Sequence, residues 1–164
     1  VQYLVCRSWS VATKKADLEA FKQFKLELPE AGISDIVNEM RDLLSLMVGD
    51  PALLFRSVVP IACGHSRRPD CLSFRIASAL AEMTGIALVG AFAPRYLTGG
   101  SHPKEFRDIP PLDMVRRPDG PVLVVDDIST SGFHMEEALG RLRAEGLAAM
   151  GIVMVAGAVQ PKAA

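Results

Sequence analysis

Apolar positions along the chain fall into two rhythms. Short continuous runs read as buried strands, and stretches with apolar residues three and four apart read as helices packed on a core. The runs are Val1–Cys6, Val58-Val59-Pro60-Ile61, Ile86–Phe92, Pro121-Val122-Leu123-Val124-Val125 and Met150–Ala156. Between them, Lys14–Phe24 predicts a short helix ended before Pro29. Ser34-Asp35 is a predicted N-terminal cap for a helix over 34–48, with Ile36, Val37, Met40, Leu43, Leu44 and Met47 at helical spacing and Gly49-Asp50-Pro51 as its stop. Leu72, Ile76, Leu80 and Met83 mark one face of another helix, closed by Gly85. Met135, Ala138, Leu139 and Leu142 mark the inward face of a helix over Phe133–Glu145, closed by Gly146. The stretch 93–120, rich in proline and glycine, predicts a long loop, and long loops in compact domains are often functional.

Continuous apolar strands alternating with amphipathic helices predict an α/β fold with a mainly parallel sheet and helices on both faces. Ligands in such sheets bind beyond the carboxyl ends of the strands. The loops there are 62–69, 93–108 and 126–134. Residues 57–164 are expected to form the core and residues 1–56 a small hood-like subregion packed on it, in one domain overall.

The chain has 164 residues, enough for one sizeable core. Its formal net charge of -1 argues against a dedicated nucleic-acid-binding domain, though not against a small anionic ligand. No apolar run approaches the roughly 18 residues of a membrane span, and the first residues lack the pattern of a secretory signal. The absence of an initiator Met suggests a trimmed or partial sequence. Cys6, Cys63 and Cys71 are odd in number and show no C-x-x-C pair, which fits reduced thiols and a cytoplasmic setting.

Candidate chemistry concentrates in Val122-Leu123-Val124-Val125-Asp126-Asp127-Ile128-Ser129-Thr130-Ser131-Gly132-Phe133-His134. A buried strand delivers two adjacent carboxylates, and a turn of hydroxyl residues and glycine then opens a helix. Amides at a helix N-terminus hold phosphate, Thr130 and Ser131 add hydroxyl donors, and Gly132 permits a close backbone approach. Asp126 and Asp127 would repel phosphate, so their use is to accept hydrogen bonds from vicinal ribose hydroxyls or to help hold hydrated Mg²⁺. The plain alternative is that the acids cap the helix and the hydroxyls satisfy turn backbone.

This segment resembles the signature of the type I phosphoribosyltransferases: apolar strand, acidic pair, aliphatic residue, then a hydroxyl-hydroxyl-glycine loop. The resemblance implies that Asp126 and Asp127 hold the ribose hydroxyls of phosphoribosyl pyrophosphate, with Mg²⁺ held indirectly. It implies that Ser129, Thr130, Ser131, Gly132, Phe133 and His134 wrap the 5′-phosphate. Ser129 and His134 depart from the pattern, standing where an aliphatic or small residue and a second hydroxyl residue are usual. Val58 to Ile61 with its following loop and helix, and Gly90-Ala91-Phe92-Ala93, resemble the competence-protein ComF branch. That branch's zinc-binding cysteine cluster is missing here, and Phe74-Arg75-Ile76 replaces its favoured Asn and Gln.

The same resemblance makes Cys63, Gly64, His65, Ser66, Arg67 and Arg68 the pyrophosphate loop. It makes 93–108 the loop that closes over the reaction centre, with Lys104 and Arg107 neutralising departing pyrophosphate. Arg95, Tyr96, His102 and Glu105 lie in that loop too. The plain reading of each is an exposed loop residue. The implied activity is transfer of the phosphoribosyl group to a nitrogen nucleophile through an oxocarbenium-like transition state, which needs positioning and leaving-group stabilisation but no covalent nucleophile. A non-catalytic binding or accessory module, as in DNA uptake, is the rival. The acceptor is not legible, and a homodimer is the common state in the family. No G-x-x-x-x-G-K, G-x-G-x-x-G, H-E-x-x-H or G-x-S-x-G occurs, so P-loop, dinucleotide, zinc-protease and serine-hydrolase chemistries have no support.

Overall fold

The computed structural model describes residues 3–9, 15–62, 69–95, 110–129 and 131–157. In chain order these form β1 (Tyr3–Trp9), α1 (Lys15–Glu27), α2 (Glu30–Val48), α3 (Pro51–Leu54), β2 (Ser57–Pro60), α4 (Leu72–Thr84), β3 (Ala87–Leu88), β4 (Val122–Ser129), α5 (Phe133–Ala144) and β5 (Ala149–Gly157). The five strands make one sheet in the order β1-β5-β4-β2-β3, and every pairing is parallel. The predicted α/β architecture is the observed one.

Strand alternation splits the apolar residues between two cores. Val58, Leu123, Val125, Ile152 and Met154 pack with α2 and α4. Val59, Val122, Val124 and Val153 pack with α5. The central strands are thus buried on both faces, which is why they read as unbroken apolar runs. The α5 face holds the four predicted residues, Met135, Ala138, Leu139 and Leu142, all buried.

Several boundaries moved. The second helix begins at Glu30 rather than after Ser34-Asp35, because Pro29 supplies the extended N-cap and Ile33 extends the buried stripe by a turn. Ser34 and Asp35 are therefore exposed helix residues. Met47 and Met83, predicted inward, are exposed at the ends of their helices. The strand expected over Ile86–Phe92 pairs only at Ala87 and Leu88; beyond them Phe92 makes an isolated antiparallel bridge with Met114. The strand expected to stop at Val125 runs on to Ser129, since β5 continues beside it and pairs Asp126, Ile128 and Ser129 with Val153, Val155 and Ala156. Pairing with a neighbour overrides the poor strand propensity of aspartate.

The N-terminal strand is an edge strand of the same sheet, in register with β5 from Tyr3↔Gly151 to Trp9↔Gly157. Gly151 allows a close approach there. A Cβ on it would lie 2.4 Å from Met135 Sδ and 2.8 Å from Tyr3 Cβ, so only glycine fits between β1 and α5.

Candidate functional site

The carboxyl end of β4 and the first turn of α5 bring Asp126, Asp127, Ser129, Ser131, Gly132, Phe133 and His134 into one short stretch. Thr130 lies outside the described residues, as do Cys63, Gly64, His65, Ser66, Arg67 and Arg68, and Lys104 and Arg107.

Gly132 is the N-cap of α5 at φ 80° and ψ -11°, a left-handed conformation that costs an L-residue strain. Its carbonyl accepts the Glu136 amide at 2.8 Å, and Ser131 Oγ accepts the Phe133 amide at 3.4 Å. The opening amides of a helix have no acceptor within the helix itself and carry its positive pole. An anion has an electrostatic reason to sit there. Glu136, exposed in the same turn, already draws on that field.

The acids are covered rather than open. Asp126 is 7% and Asp127 3% exposed. Asp126 Oδ1 accepts the Asp127 amide at 2.9 Å. Burial, and then the neighbouring Asp127 charge, push the Asp126 carboxyl well above the ordinary carboxylate range, against weaker opposing pulls from that amide and from Lys25. Lys25, on α1, places Nζ 2.7 Å from Asp127 Oδ2. The distance makes an ion pair, yet Oδ2 accepts no well-aligned hydrogen bond among the described residues. The contact is a charge resting on a charge. The Lys25 ammonium also stands 5.7 Å from the Phe21 ring centre, and Phe21 in turn meets Trp9 edge to face.

Ser129 belongs to the strand, not the turn. It is buried, with Oγ 3.3 Å from Tyr3 Oη. Tyr3 Oη also lies 3.4 Å from where a Gly132 Cβ would be, so β1 sits against the start of α5.

A second charged group adjoins the turn. Arg95 donates through Nη1 to Glu137 Oε2 at 2.8 Å and to the Pro110 carbonyl at 2.7 Å, and through Nη2 to His134 Nδ1 at 2.7 Å. Glu137 Oε1 accepts the Leu112 amide at 2.7 Å.

Among solved structures, the chain is similar to the orotate phosphoribosyltransferase from Aeropyrum pernix, at a TM-score of 0.51 and 24% identity over 78% of this chain and 61% of that one. The fold is that of the type I phosphoribosyltransferases. The chain spans only about three-fifths of that enzyme's length. A purine phosphoribosyltransferase from Pyrococcus horikoshii Ot3 is similar at a TM-score of 0.48 and 16% identity, over 79% of this chain and 78% of that one. No family model matches the chain, and no curated protein does. The expected likeness to the ComF branch finds no support in these comparisons.

The acid pair lies within β4 and the glycine is the N-cap of α5. Three participants went unseen in the sequence: Lys25, Tyr3 and Glu137. Lys25 and Tyr3 reach the site from elements far away in the chain, and no local pattern announces them. Glu137 had a faint signal, since it lies one helical turn after His134 in the first residues of a helix.

No group of three or more His, Cys, Asp or Glu side chains among the described residues could hold a metal ion directly. Asp127 Oδ2, a buried acceptor lacking an aligned donor, suits an outer hold on a hydrated cation. Cys6 has no thiolate character, since burial, then Glu39, push its thiol to about 11 despite Arg7. No helix among the described residues is long and apolar enough to cross a membrane.

Proposed function

We propose that the chain binds phosphoribosyl pyrophosphate or a closely related sugar phosphate and transfers its phosphoribosyl group to a nitrogen nucleophile, releasing pyrophosphate. The observation that carries this is local. Two adjacent carboxylates at the carboxyl end of β4 are followed, within one short turn, by a left-handed glycine that opens α5, on a parallel sheet of phosphoribosyltransferase type. The 5′-phosphate would meet the turn Ser131–His134, and Thr130 is proposed for the same role. The ribose hydroxyls would donate to Asp127 and, beyond it, Asp126.

Lys25 covers Asp127 in this conformation, so ribose and Lys25 compete for one carboxylate. Ligand entry therefore requires the Lys25 end of α1 to move aside. Mg²⁺ would be held mainly through the ligand, with Asp127 contributing through water, and would supply charge neutralisation to the leaving pyrophosphate. Arg67, Arg68, Lys104 and Arg107 are proposed for the same end of the ligand. The protein's own share is to bind, to orient the anomeric carbon and to exclude water.

The covered acids favour a second reading, a binding or accessory module that senses the ligand without turning it over. Calorimetry with phosphoribosyl pyrophosphate and Mg²⁺, followed by pyrophosphate release over a panel of nitrogenous bases, separates the two. Binding with release supports the enzyme. Binding without release supports the module. An absence of binding by phosphoribosyl pyrophosphate and by ribose 5-phosphate overturns both.

A further inference from the structure

The Arg95 group is built more tightly than a surface ion pair requires. The Arg95 side chain is 9% and that of Glu137 17% exposed. Arg95 bonds the Pro110 carbonyl and Glu137 bonds the Leu112 amide, so both stems that flank residues 96–109 are tied to α5. The remaining guanidinium arm is spent on His134, at the opening of that helix.

That last contact has a chemical consequence. A guanidinium only donates hydrogen bonds and keeps its charge at any ordinary pH. His134 Nδ1 must then accept, with its lone pair toward Arg95. A ring that accepts at Nδ1 carries its proton at Nε2 and is neutral. Arg95, from the stem after β3, stands against the ring, and Glu137 holds Arg95. The Phe133 ring stands against the imidazole edge to face, centroids 5.5 Å apart.

We propose that Arg95, held by Glu137, is a positioning residue that fixes His134 as the neutral tautomer with its proton on Nε2, and so makes His134 a neutral N–H donor in the anion-binding turn of α5. This rests on the phosphate-turn reading above for its functional consequence, though not for the tautomer itself. His134 stands where the family pattern has a hydroxyl. A neutral donor there does the same work as a hydroxyl, and the Arg95 clamp is what keeps the imidazole in that form.

The test has two arms. Side-chain ¹⁵N spectra of the full chain at neutral pH, with the His134 signals assigned by their loss in His134→Gln, read the tautomer without any ligand. The wild type is expected to show unprotonated Nδ1 and protonated Nε2. Arg95→Met removes the donor, and the double variant Arg95→Met with Glu137→Gln avoids leaving a half-buried carboxylate alone. Either one, if folded, should show a population protonated on Nδ1, and Arg95→Lys should restore Nε2–H in part. A wild-type proton on Nδ1, or spectra unchanged by loss of Arg95, overturns the proposal.

The second arm is calorimetry with ribose 5-phosphate. Affinity should fall about threefold in the double variant, a fraction of the weight of one hydrogen bond to a charged group. Equal affinity in wild type and variant overturns the positioning role. If the wild type fails to bind ribose 5-phosphate, the phosphoribosyl reading falls, and the spectra still decide the clamp.

Discussion

Two residues at the end of β4 and the start of α5 concentrate the local cost of the site. Asp126 is buried and pushed toward its protonated form by desolvation and by Asp127. The folded state therefore binds this proton more tightly than the unfolded chain, whose aspartates titrate near about 3.9. Below that value both states are protonated and nothing is lost. As pH rises from there through the raised folded value, stability falls, and it stays lower above it. Asp126→Asn keeps an Oδ1 acceptor for the Asp127 amide and removes the ionisation. It should melt higher than wild type at pH 7 to 8. The gain should vanish near about pH 4 and below. Thermal melts across that range decide it: a pH-independent gain would mean that ionisation is not the cause. Gly132 pays in backbone instead. The nearest atoms to an added Cβ are at 3.4 and 3.5 Å, ordinary contact, so space is available and φ of 80° is the obstacle. The order of stability should be Gly132, then Gly132→Asn, Gly132→Ala and Gly132→Val. Asparagine tolerates this conformation, alanine loses about 1–2 kcal/mol and a β-branched residue more. Equal melting of the alanine and asparagine variants would show that the turn relaxes out of the left-handed region.

The first helix is the element that decides whether the acids are usable. α1 rests on α2 where Phe24 meets Gly32, so closely that a Gly32 Cβ would fall 2.4 Å from the Phe24 ring. From that seat it projects Lys25 onto Asp127. Removing the ammonium leaves a buried carboxylate uncompensated, which lowers stability and makes any replacement cation or hydroxyl more welcome. Lys25→Gln should therefore melt lower than wild type by several degrees. The increase in melting temperature on adding saturating Mg²⁺ and ribose 5-phosphate should exceed that of wild type. A smaller ligand shift would make Lys25 part of the ligand's own contacts rather than its competitor. This helix also marks where the sequence stopped being legible. β4, α5 and β5 were readable because unbroken apolar runs and one clean helical face leave little freedom of interpretation. The acid pair and Gly132 were readable because the motif is contiguous. The start of α2 was misplaced because Ser34-Asp35 looks like a better cap than Pro29, and packing of Ile33 outweighed local capping preference. The continuation of β4 through two aspartates was hidden because β5, not the local residues, supplies its partners. Lys25 over Asp127 and Arg95 on His134 join distant segments, and no periodicity encodes them.

At the scale of the molecule, the sheet separates two cores, and the site lies where β1, β4 and α5 meet at one end of it. β1 closes the edge beside β5 and carries Tyr3 to Ser129 and to the Gly132 turn, so the integrity of that edge should be coupled to the shape of the site. Gly151 is the point at which the coupling can be tested. A side chain there would meet Met135 Sδ at 2.4 Å on one side and Tyr3 Cβ at 2.8 Å on the other. The methionine end is flexible and can give way, but Tyr3 Cβ is fixed to the β1 backbone, so strain must pass into the strand pairing. Overpacking of this kind costs about 1–3 kcal/mol. Gly151→Ala is accordingly expected to melt several degrees lower, with faster amide exchange in residues 3–9. Amides of α2 and α4, which pack on the opposite core, should keep their protection. Met135→Ala added to Gly151→Ala should relieve the strain in part only, because the clash with Tyr3 remains. Full recovery by Met135→Ala would locate the strain on the helix side alone and uncouple β1 from the turn. Unchanged exchange in 3–9 with a lowered melting temperature would say the same, since the strand would then have absorbed none of the displacement.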